Sequence, residues 1–234
     1  MRLAMSDLMQ VVAIDGPSGG GKSTVSRGLA STLKFTYLDT GAMYRAVAYA
    51  CREQKIDPGD ERKLKQLLCE LVITLLPATK STNDVQVLVN DQEVGRHLRT
   101  PEMGMLASQV SAIPVVRVHL TQLQQEMGKA GRIVAEGRDT GTVVFPKAAW
   151  KFFLDAKPEI RMQRRADQLR SQGVDVDEQQ LLVQIIQRDK DDSERAVAPL
   201  KQATDAIYID SSDKDAEDVI SIMYDHILNS GYTL

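Results

Sequence analysis

Cysteine and aromatic residues are scarce in this chain, and it has no long run of apolar residues. Its 234 residues include only two cysteines, Cys51 and Cys69, too few for a disulfide framework and without the spacing of a zinc site. Both lie in apolar helical patterns, which predicts two buried thiols. No stretch approaches the roughly 20 apolar residues of a membrane-spanning helix, and Asp7 interrupts the segment where a signal peptide would be apolar. We therefore expect a cytoplasmic protein without a membrane partner.

An excess of charge of either sign is also lacking. Lys and Arg total 29 residues and Asp and Glu total 32, giving a net charge of −3 at pH 7. Such a balance creates no general field for nucleic acid, so we expect no nucleic-acid partner and basic residues that act locally. The three histidines are scattered, without the spacing of a metal site. Nothing in the sequence demands an oligomer, so we expect a monomer.

The most informative segment that is present is a glycine-rich loop. Residues 16–23 read Gly-Pro-Ser-Gly-Gly-Gly-Lys-Ser and fit the phosphate-loop pattern G-x-x-x-x-G-K-[ST]. Val11–Ile14 before the loop predicts a buried strand, and Lys22–Leu33 after it predicts a helix. Backbone N–H groups of such a loop bind a polyphosphate at the helix N-terminus, with Lys22 at the terminal phosphates and Ser23 as a ligand of Mg²⁺. The predicted ATP-binding residues are Gly16, Pro17, Ser18, Gly19, Gly20, Gly21, Lys22, Ser23 and Thr24.

Short apolar runs alternate with helical patterns along the rest of the chain. This order predicts a three-layer α/β fold with a five-stranded parallel sheet, in which ligands bind at the carboxyl ends of the strands. A carboxylate follows every predicted strand directly. The strands and their carboxylates are Val11–Ile14 with Asp15, Phe35–Leu38 with Asp39, Arg132–Ala135 with Glu136, Lys151–Leu154 with Asp155, and Ala206–Ile209 with Asp210.

Residues 57–96 break this alternation. Leu71–Leu76, Val85–Val89 and Gln92–Val94 are β-rich and predict a small antiparallel insert. The helical pattern of Glu178–Arg188 is followed by a charged stretch, Asp189–Arg195. Such a stretch predicts a solvated loop, although its place near the binding edge of the predicted sheet weakens this prediction. We predict a core domain of residues 10–56, 97–160 and 200–234, an inserted subdomain of residues 57–96 and a lid of residues 161–199.

Three classes of phosphate-loop protein compete at this point: small-molecule kinases, GTPase switches and motor ATPases. The guanine-reading motif N-K-x-D and the switch motif D-x-x-G are both missing from the chain. Ile133–Glu136 partly matches the acidic strand of motor ATPases, but Gly137-Arg138-Asp139 follows and puts a cation beside the phosphates. Phosphoryl transfer between two nucleotides needs such extra positive charge. The pattern therefore favours a kinase.

Three further segments carry a close resemblance to a known family. Residues 38–45 (LDTGAMYR), 136–146 (EGRDTGTVVFP) and 193–200 (SERAVAPL) resemble the signature segments of bacterial cytidylate kinases. Together with the phosphate loop they occur in the family's order over nearly the whole chain after Gln10. The resemblance implies transfer of the γ-phosphoryl group of ATP to CMP or dCMP, with Mg²⁺. It also implies that residues 57–96 form a monophosphate-binding subdomain.

The resemblance, joined to local chemistry, also implies roles for single residues. Arg45 and Arg138 would hold the acceptor phosphate, because a guanidinium binds two phosphate oxygens at once. Asp139 would accept a hydrogen bond from the cytosine amino group, and Arg188 with Asp192 would contact the sugar. The implied substrate-binding residues are Thr40, Arg45, Ser108, Arg117, Arg138, Asp139, Arg188, Asp192 and Arg195. The candidate catalytic residues are Lys22, Arg138, Arg161, Arg164, Arg165 and Arg188.

Three questions stay open at the level of the sequence. Arg161, Arg164 and Arg165 share one helix face, and we expect at least one of them to act on the transferring phosphates, although a solvated stripe is the alternative. The second question is whether the chain is a kinase of the same fold for another nucleoside monophosphate or a small metabolite. The third is whether it is a nucleotide-dependent regulatory protein, which would hydrolyse ATP without any acceptor.

Overall fold

The computed structural model describes residues 9–76, 85–171 and 173–232. The strands are β1 (Met9–Asp15), β2 (Thr36–Asp39), β3 (Ile73–Leu76), β4 (Gln86–Val89), β5 (Gln92–Glu93), β6 (Ile133–Gly137), β7 (Ala148–Asp155) and β8 (Ile207–Asp210). The α-helices are α1 (Lys22–Leu33), α2 (Thr40–Glu53), α3 (Glu61–Glu70), α4 (Pro101–Ser111), α5 (Pro114–Gly128), α6 (Pro158–Ser171), α7 (Glu178–Glu194) and α8 (Ala216–Asn229). Gly95–Arg99 form a 3₁₀ helix, and Thr140–Val144 form a π-helical turn.

A five-stranded sheet in the order β2-β6-β1-β7-β8 forms the centre of the fold. β1 pairs in parallel with β6 and β7, and β7 pairs in parallel with β8. Non-consecutive neighbours of this kind require crossover connections, which helices supply. The predicted α/β fold with a five-stranded parallel sheet is confirmed.

The main core lies on this sheet, in a compact unit of residues 9–37 and 131–232. Val25, Leu29 and Leu33 recur every four residues along α1 and are buried, as the helical pattern predicts. They belong to one apolar cluster that also contains the largest side chains of the sheet and one face of α8. Its members outside α1 include Val12, Ile14, Val134, Trp150, Phe152, Leu154, Val219, Met223 and Ile227.

The acidic residues that were predicted to follow the strands belong to the strands themselves, at or next to their last positions. Asp15, Asp39, Asp155 and Asp210 are the last residues of β1, β2, β7 and β8, and Glu136 is the penultimate residue of β6. The predicted strands thus end one or two residues too early, because a polar side chain at the edge of the sheet still extends the hydrogen-bonded ladder. These carboxylates mark the carboxyl edge of the sheet.

A second compact unit comprises residues 38–130. It contains α2 to α5 and an antiparallel sheet in the order β3-β4-β5, with Ile73 opposite Val89 and Leu88 opposite Glu93. The antiparallel strands of the predicted insert are therefore present, although β3 begins two residues later than predicted. The predicted insert of residues 57–96 lies within this unit, and the division into core, insert and lid stays a prediction.

Two sequence-based expectations are wrong. The charged stretch after Arg188 is not a loop, because α7 continues through Asp189 to Glu194 and Asp192 is buried among cationic partners. Cys51 is buried, but Cys69 is exposed. The buried stripe of α3 consists of Leu64, Leu67 and Leu68, and Cys69 lies beside that stripe. Within the described ranges, none of the helices is long and apolar enough to cross a bilayer.

Candidate active site

The phosphate loop joins the end of β1 to the start of α1. Gly21 precedes α1 with a φ of 86°, and Gly16 has a φ of 148°, both in the region that favours glycine. A Cβ atom on Gly16 would lie 1.9 Å from the backbone oxygen of Leu154. The loop backbone therefore packs directly on the end of β7, which only glycine permits.

Lys22 points back into the concavity of this loop. Its Nζ atom donates to the backbone oxygen of Pro17 over 2.6 Å, and the side chain is buried. Burial lowers the pKa of Lys22 to about 7, assisted by the positive charge of Arg138 and opposed by Glu136 and Asp15. Ser23 and Thr24, by contrast, are exposed at the first turn of α1. The loop therefore presents one buried amine and two accessible hydroxyls.

Asp15 fixes the segment that follows β6. One carboxylate oxygen accepts from the backbone N–H and the hydroxyl of Thr140 over 2.8 and 2.7 Å, and the other accepts from the Gly141 N–H over 2.8 Å. Burial raises the pKa of Asp15, and these hydrogen bonds from Gly141 and Thr140 oppose that shift. The π-helical turn is thus held at the residues directly after Arg138 and Asp139.

Four charged residues form a buried network in the same unit. Arg138 Nε lies 2.8 Å from Asp192 Oδ2, and Arg195 NH1 lies 3.7 Å from Asp192 Oδ1. The NH2 group of Arg195 also lies 3.4 Å from Asp139 Oδ1. The structure thus brings together residues implied for the acceptor's phosphate, sugar and base. They are distant in the chain, because two follow β6 and two lie at the end of α7.

The network holds its charges in place. Burial works to raise the pKa of Asp192, but the cationic Arg138, and after it Arg188 and Arg195, hold that pKa below its usual value. Burial works to lower the pKa of Arg138, and Asp192 reverses this so that the pKa is raised. Cationic donors in a desolvated setting interact strongly with an anionic ligand.

The three predicted lid arginines on α6 have different surroundings. Arg161 is buried and donates to the backbone oxygens of Ala156 and Ser18. Arg164 donates to Ser211, whose hydroxyl donates to Gly20 of the phosphate loop over 3.4 Å. Arg165 donates to Gln168 on its own helix. The three arginines share one helix but differ in their hydrogen-bond partners.

In the second unit, Arg45 lies at a pocket. Asp39 caps α2 by accepting from the Ala42 N–H over 2.8 Å, and it pairs with Arg45 NH2 over 2.9 Å. The same unit's pocket is lined by Asp39, Ala42, Arg45, Val85, Val87, Gly95, Leu98 and Arg99. Thr40, the first residue of α2, is buried next to Asp39. Arg99 ends the 3₁₀ helix, and no sequence pattern indicated either this helix or a role for Arg99.

Ser108 and Arg117, both implied for the base, lie on α4 and α5 of the second unit. Arg117 is buried, donates to the backbone oxygen of Ser111 over 2.9 Å and stacks on the Tyr44 ring at 5.3 Å. The Ser108 backbone oxygen accepts from the Ser111 hydroxyl over 2.8 Å. Ser111 thus links the two implied residues within this unit.

Asp15, Asp155 and Asp189 are further charged residues of the site to which the sequence assigned no role. Asp15 and Asp155 were visible as strand-end carboxylates, and that position is the signal by which they could have been selected. Asp189 was hidden in the charged stretch after Arg188. Among the residues that the structure describes, no three His, Cys, Asp or Glu side chains are grouped to hold a metal ion by themselves.

Sequence comparisons with known proteins identify one family. The sequence model described as cytidylate kinase matches residues 12–229. A cytidylate kinase of Nitratidesulfovibrio vulgaris is 46% identical over 94% of this chain and 93% of its own length. A bifunctional pantoate ligase/cytidylate kinase of a Synechococcus species is 43% identical over 93% of this chain, but the chain spans only 41% of that protein. The crystal structure of an uncharacterized protein from Eubacterium ventriosum, 13% identical, superposes with a TM-score of 0.51 over 93% of this chain and 97% of its own, which shows the fold alone.

Proposed function

Because this chain belongs to the cytidylate kinase family, we propose that it transfers the γ-phosphoryl group of ATP to CMP and releases CDP and ADP. It is a kinase. The choice of CMP as the acceptor is supported by the buried network of Arg138, Asp139, Asp192 and Arg195. This network combines cations for a phosphate with two oriented carboxylates for a base and a sugar. A kinase of the same fold that phosphorylates another acceptor would not require these carboxylates.

The donor half of the proposed site is the loop of residues 16–24. Its backbone N–H groups and the N-terminus of α1 would bind the ATP phosphates, and Lys22 would neutralise the oxygens of the transferring group. Mg²⁺ prefers oxygen ligands and is held largely by phosphates and water in such sites. The exposed hydroxyl of Ser23 at the first turn of α1 fits one position in that shell. When bound, Mg²⁺ would neutralise developing charge on the phosphates.

The acceptor base would be selected by Asp139. Cytosine carries an amino donor at C4, whereas uracil carries a carbonyl there. Arg195 holds one oxygen of Asp139, so the carboxylate is oriented before the base arrives. A uracil carbonyl would leave this buried carboxylate without its hydrogen bond, which costs about 1–3 kcal/mol. Ser108 and Arg117 are also proposed as contacts of the base.

The acceptor phosphate and sugar are assigned to the remaining residues. Arg138 and Arg45 are proposed to bind the phosphate, and Thr40 and Arg99 are proposed as further contacts of the acceptor. Asp192 would accept from a sugar hydroxyl, and Arg188 would accompany it. No general base is needed, because the acceptor phosphate is already an anionic nucleophile at neutral pH and catalysis consists of alignment and charge stabilisation. An oxygen of CMP attacks the γ-phosphorus as the bond to the ADP oxygen breaks.

Finer assignments belong to the same proposal. We infer that dCMP is also an acceptor, that the protein works in the cytoplasm and that it acts as a monomer. At least one arginine of α6 would act on the transferring phosphates, and Arg161, Arg164 and Arg165 are the candidates.

An acceptor panel tests this proposal directly. ADP formation is measured with ATP and Mg²⁺ in the presence of CMP, dCMP, UMP, AMP or shikimate, and without any acceptor. We expect the largest kcat/KM with CMP or dCMP and almost no ADP without an acceptor. A preference for UMP, AMP or shikimate would overturn the assignment of the acceptor. ADP formation that is independent of every acceptor would support a regulatory ATPase instead.

A further inference from the structure

Arg161 binds the backbone of the phosphate loop. The residue is buried, and its NH1 group donates to the backbone oxygen of Ser18 over 3.1 Å. A Cβ atom placed on Gly19 would lie 3.2 Å from the Arg161 Cβ atom. The loop and α6 are therefore in direct contact at the two residues in the middle of the phosphate loop.

The same guanidinium also contacts α7. Its NH2 group lies 2.7 Å from Asp189 Oδ2, in an ion pair whose side chains are 4% and 23% exposed. Asp189 is the neighbour of Arg188 and lies three residues before Asp192, so it shares one helical turn with both. One arginine thus joins the donor loop to the helix that carries two of the proposed acceptor contacts.

The guanidinium has little freedom to leave this position. Nε donates to the backbone oxygen of Ala156 over 2.8 Å, so all three nitrogens are engaged with acceptors. Moving the group onto a phosphate would leave two backbone oxygens and a carboxylate without it. Buried acceptors that lose a charged donor are costly, which opposes such a movement. Arg161 is therefore suited to hold the protein rather than the substrate.

We propose that Arg161 and Asp189 are positioning residues that couple the phosphate loop to α7, so that ATP binding orients Arg188 and Asp192 for the acceptor. The proposal rests on the function proposed above and deepens it. It assigns coupling between the two substrates to one buried ion pair. It also separates Arg161 from Arg164 and Arg165, which remain the candidates on α6 for contact with the transferring phosphates.

The test uses Arg161→Lys, Asp189→Asn and the double variant. Each is assayed for kcat and for both KM values, and CMP affinity is measured by calorimetry with and without a non-hydrolysable ATP analogue. We expect CMP to bind the wild type more tightly with the analogue present, by about fivefold or more. In all three variants this ratio should approach one, and kcat should fall by about 10- to 100-fold because the reacting groups lose alignment. The double variant should be no worse than the poorer single variant.

Asp189→Asn separates positioning from direct catalysis. This variant keeps the Arg161 guanidinium, so it would retain kcat if Arg161 contacted the transferring phosphates. It is also the milder change, and it keeps the test valid if Arg161→Lys fails to fold. Retained kcat together with a retained coupling ratio in Asp189→Asn would overturn the proposal, and so would a wild-type ratio of one.

A second ion pair between the same two helices provides a matched control. Arg170 NH2 on α6 lies 2.6 Å from Glu178 Oε1 on α7, but both side chains are exposed and neither contacts the phosphate loop. Glu178→Gln should therefore keep the wild-type kcat and coupling ratio, and a loss equal to that of Asp189→Asn would contradict the proposal. If the wild type itself fails to phosphorylate CMP, the proposed function fails. If the wild type is active and the variants behave like it, only this inference fails.

Discussion

Arg138 and Asp192 form an ion pair of 2.8 Å, although 54 residues separate them in the chain. Arg138 follows β6 directly, and Asp192 lies in the last turn of α7. The pair therefore joins a strand end to a distant helix within one unit. Since Arg195 also contacts Asp192, loss of this one carboxylate would leave two guanidinium groups without their shared partner.

Asp192→Asn should weaken both folding and acceptor binding. We expect the free energy of unfolding to fall by about 2–3 kcal/mol, because breaking a buried ion pair leaves charge uncompensated. The KM for CMP should rise by about tenfold, as expected for loss of a charged hydrogen bond of ~1.4 kcal/mol. Urea unfolding and steady-state kinetics measure the two effects. Asp191→Asn is the control, because Asp191 is exposed and accepts from the Gln187 side chain on the same helix. Equal effects in both variants would refute the assignment.

Asp139→Ala should reduce the preference for CMP over UMP. In the proposed function this carboxylate distinguishes an amino group from a carbonyl, so its loss should lower the ratio of kcat/KM values by about tenfold or more. Parallel assays with both acceptors give this ratio. Asp205→Ala also removes a carboxylate from an ion pair, with Lys151 at 2.8 Å, and should leave the preference intact. An unchanged ratio in Asp139→Ala would show that another group reads the base.

ATP binding should be accompanied by proton uptake at Lys22. The pKa of this amine is about 7 in the folded protein, so much of it is neutral at mildly alkaline pH, and phosphates would favour its charged form. Calorimetry in buffers with different ionisation enthalpies should show uptake of up to about one proton at about pH 8. Lys22→Met should abolish this uptake. An identical uptake in that variant would place the proton elsewhere.

Lys22 should also make stability depend on pH. In the unfolded chain the lysine keeps its usual pKa of 10.5, whereas the folded value is about 7. Between these values the unfolded chain binds more protons, so the free energy of unfolding contributed by this group rises with pH, and below about pH 7 its burial cost is fully present. Lys22→Met should therefore stabilise the protein by about 1 kcal/mol or more at about pH 6, and by less at about pH 9. Urea unfolding at both pH values checks this; a constant difference would contradict it.

Gly16→Ala should prevent the phosphate loop from closing on β7. The new Cβ atom would meet the Leu154 oxygen at 1.9 Å, and backbone atoms cannot move aside cheaply. We expect a loss of about 3 kcal/mol or more in stability, together with a large loss of ATP binding. Gly173→Ala is the control, because Gly173 also has a positive φ, 78°, but a Cβ atom there meets nothing within 4 Å. Thermal unfolding should show a clearly smaller loss for Gly173→Ala.

The fold was predictable because its signals are local and periodic. The glycine loop between Val11–Ile14 and α1, and the carboxylates after each apolar run, identified the parallel sheet and its binding edge. The position of Cys69 and the length of α7 were not predictable in the same way. The exposure of Cys69 and the end of α7 depend on which face of each helix packs against the rest of the protein. In α7, the residues that pair with Asp189 and Asp192 are distant in the chain.

The residues of the candidate site were selected from the sequence, but their contacts could not be. Arg138, Asp139, Asp192 and Arg195 follow from the resemblance to a family, yet no sequence pattern shows that they form one ion network. Arg161 illustrates the same limit. Its spacing from Arg164 and Arg165 suggested equal roles, and the difference arises only from burial and from the backbone oxygens that surround it.

The three hydrogen bonds of Asp15 have a consequence for the motions of the segment after β6. Amide protons in connecting segments usually exchange quickly with solvent, since local opening is easy there. The amides of Thr140 and Gly141 are tied to a buried carboxylate at the end of β1, so they open only when that strand end is disturbed. We expect their deuterium exchange to be as slow as that of β1 itself, and to accelerate in Asp15→Asn.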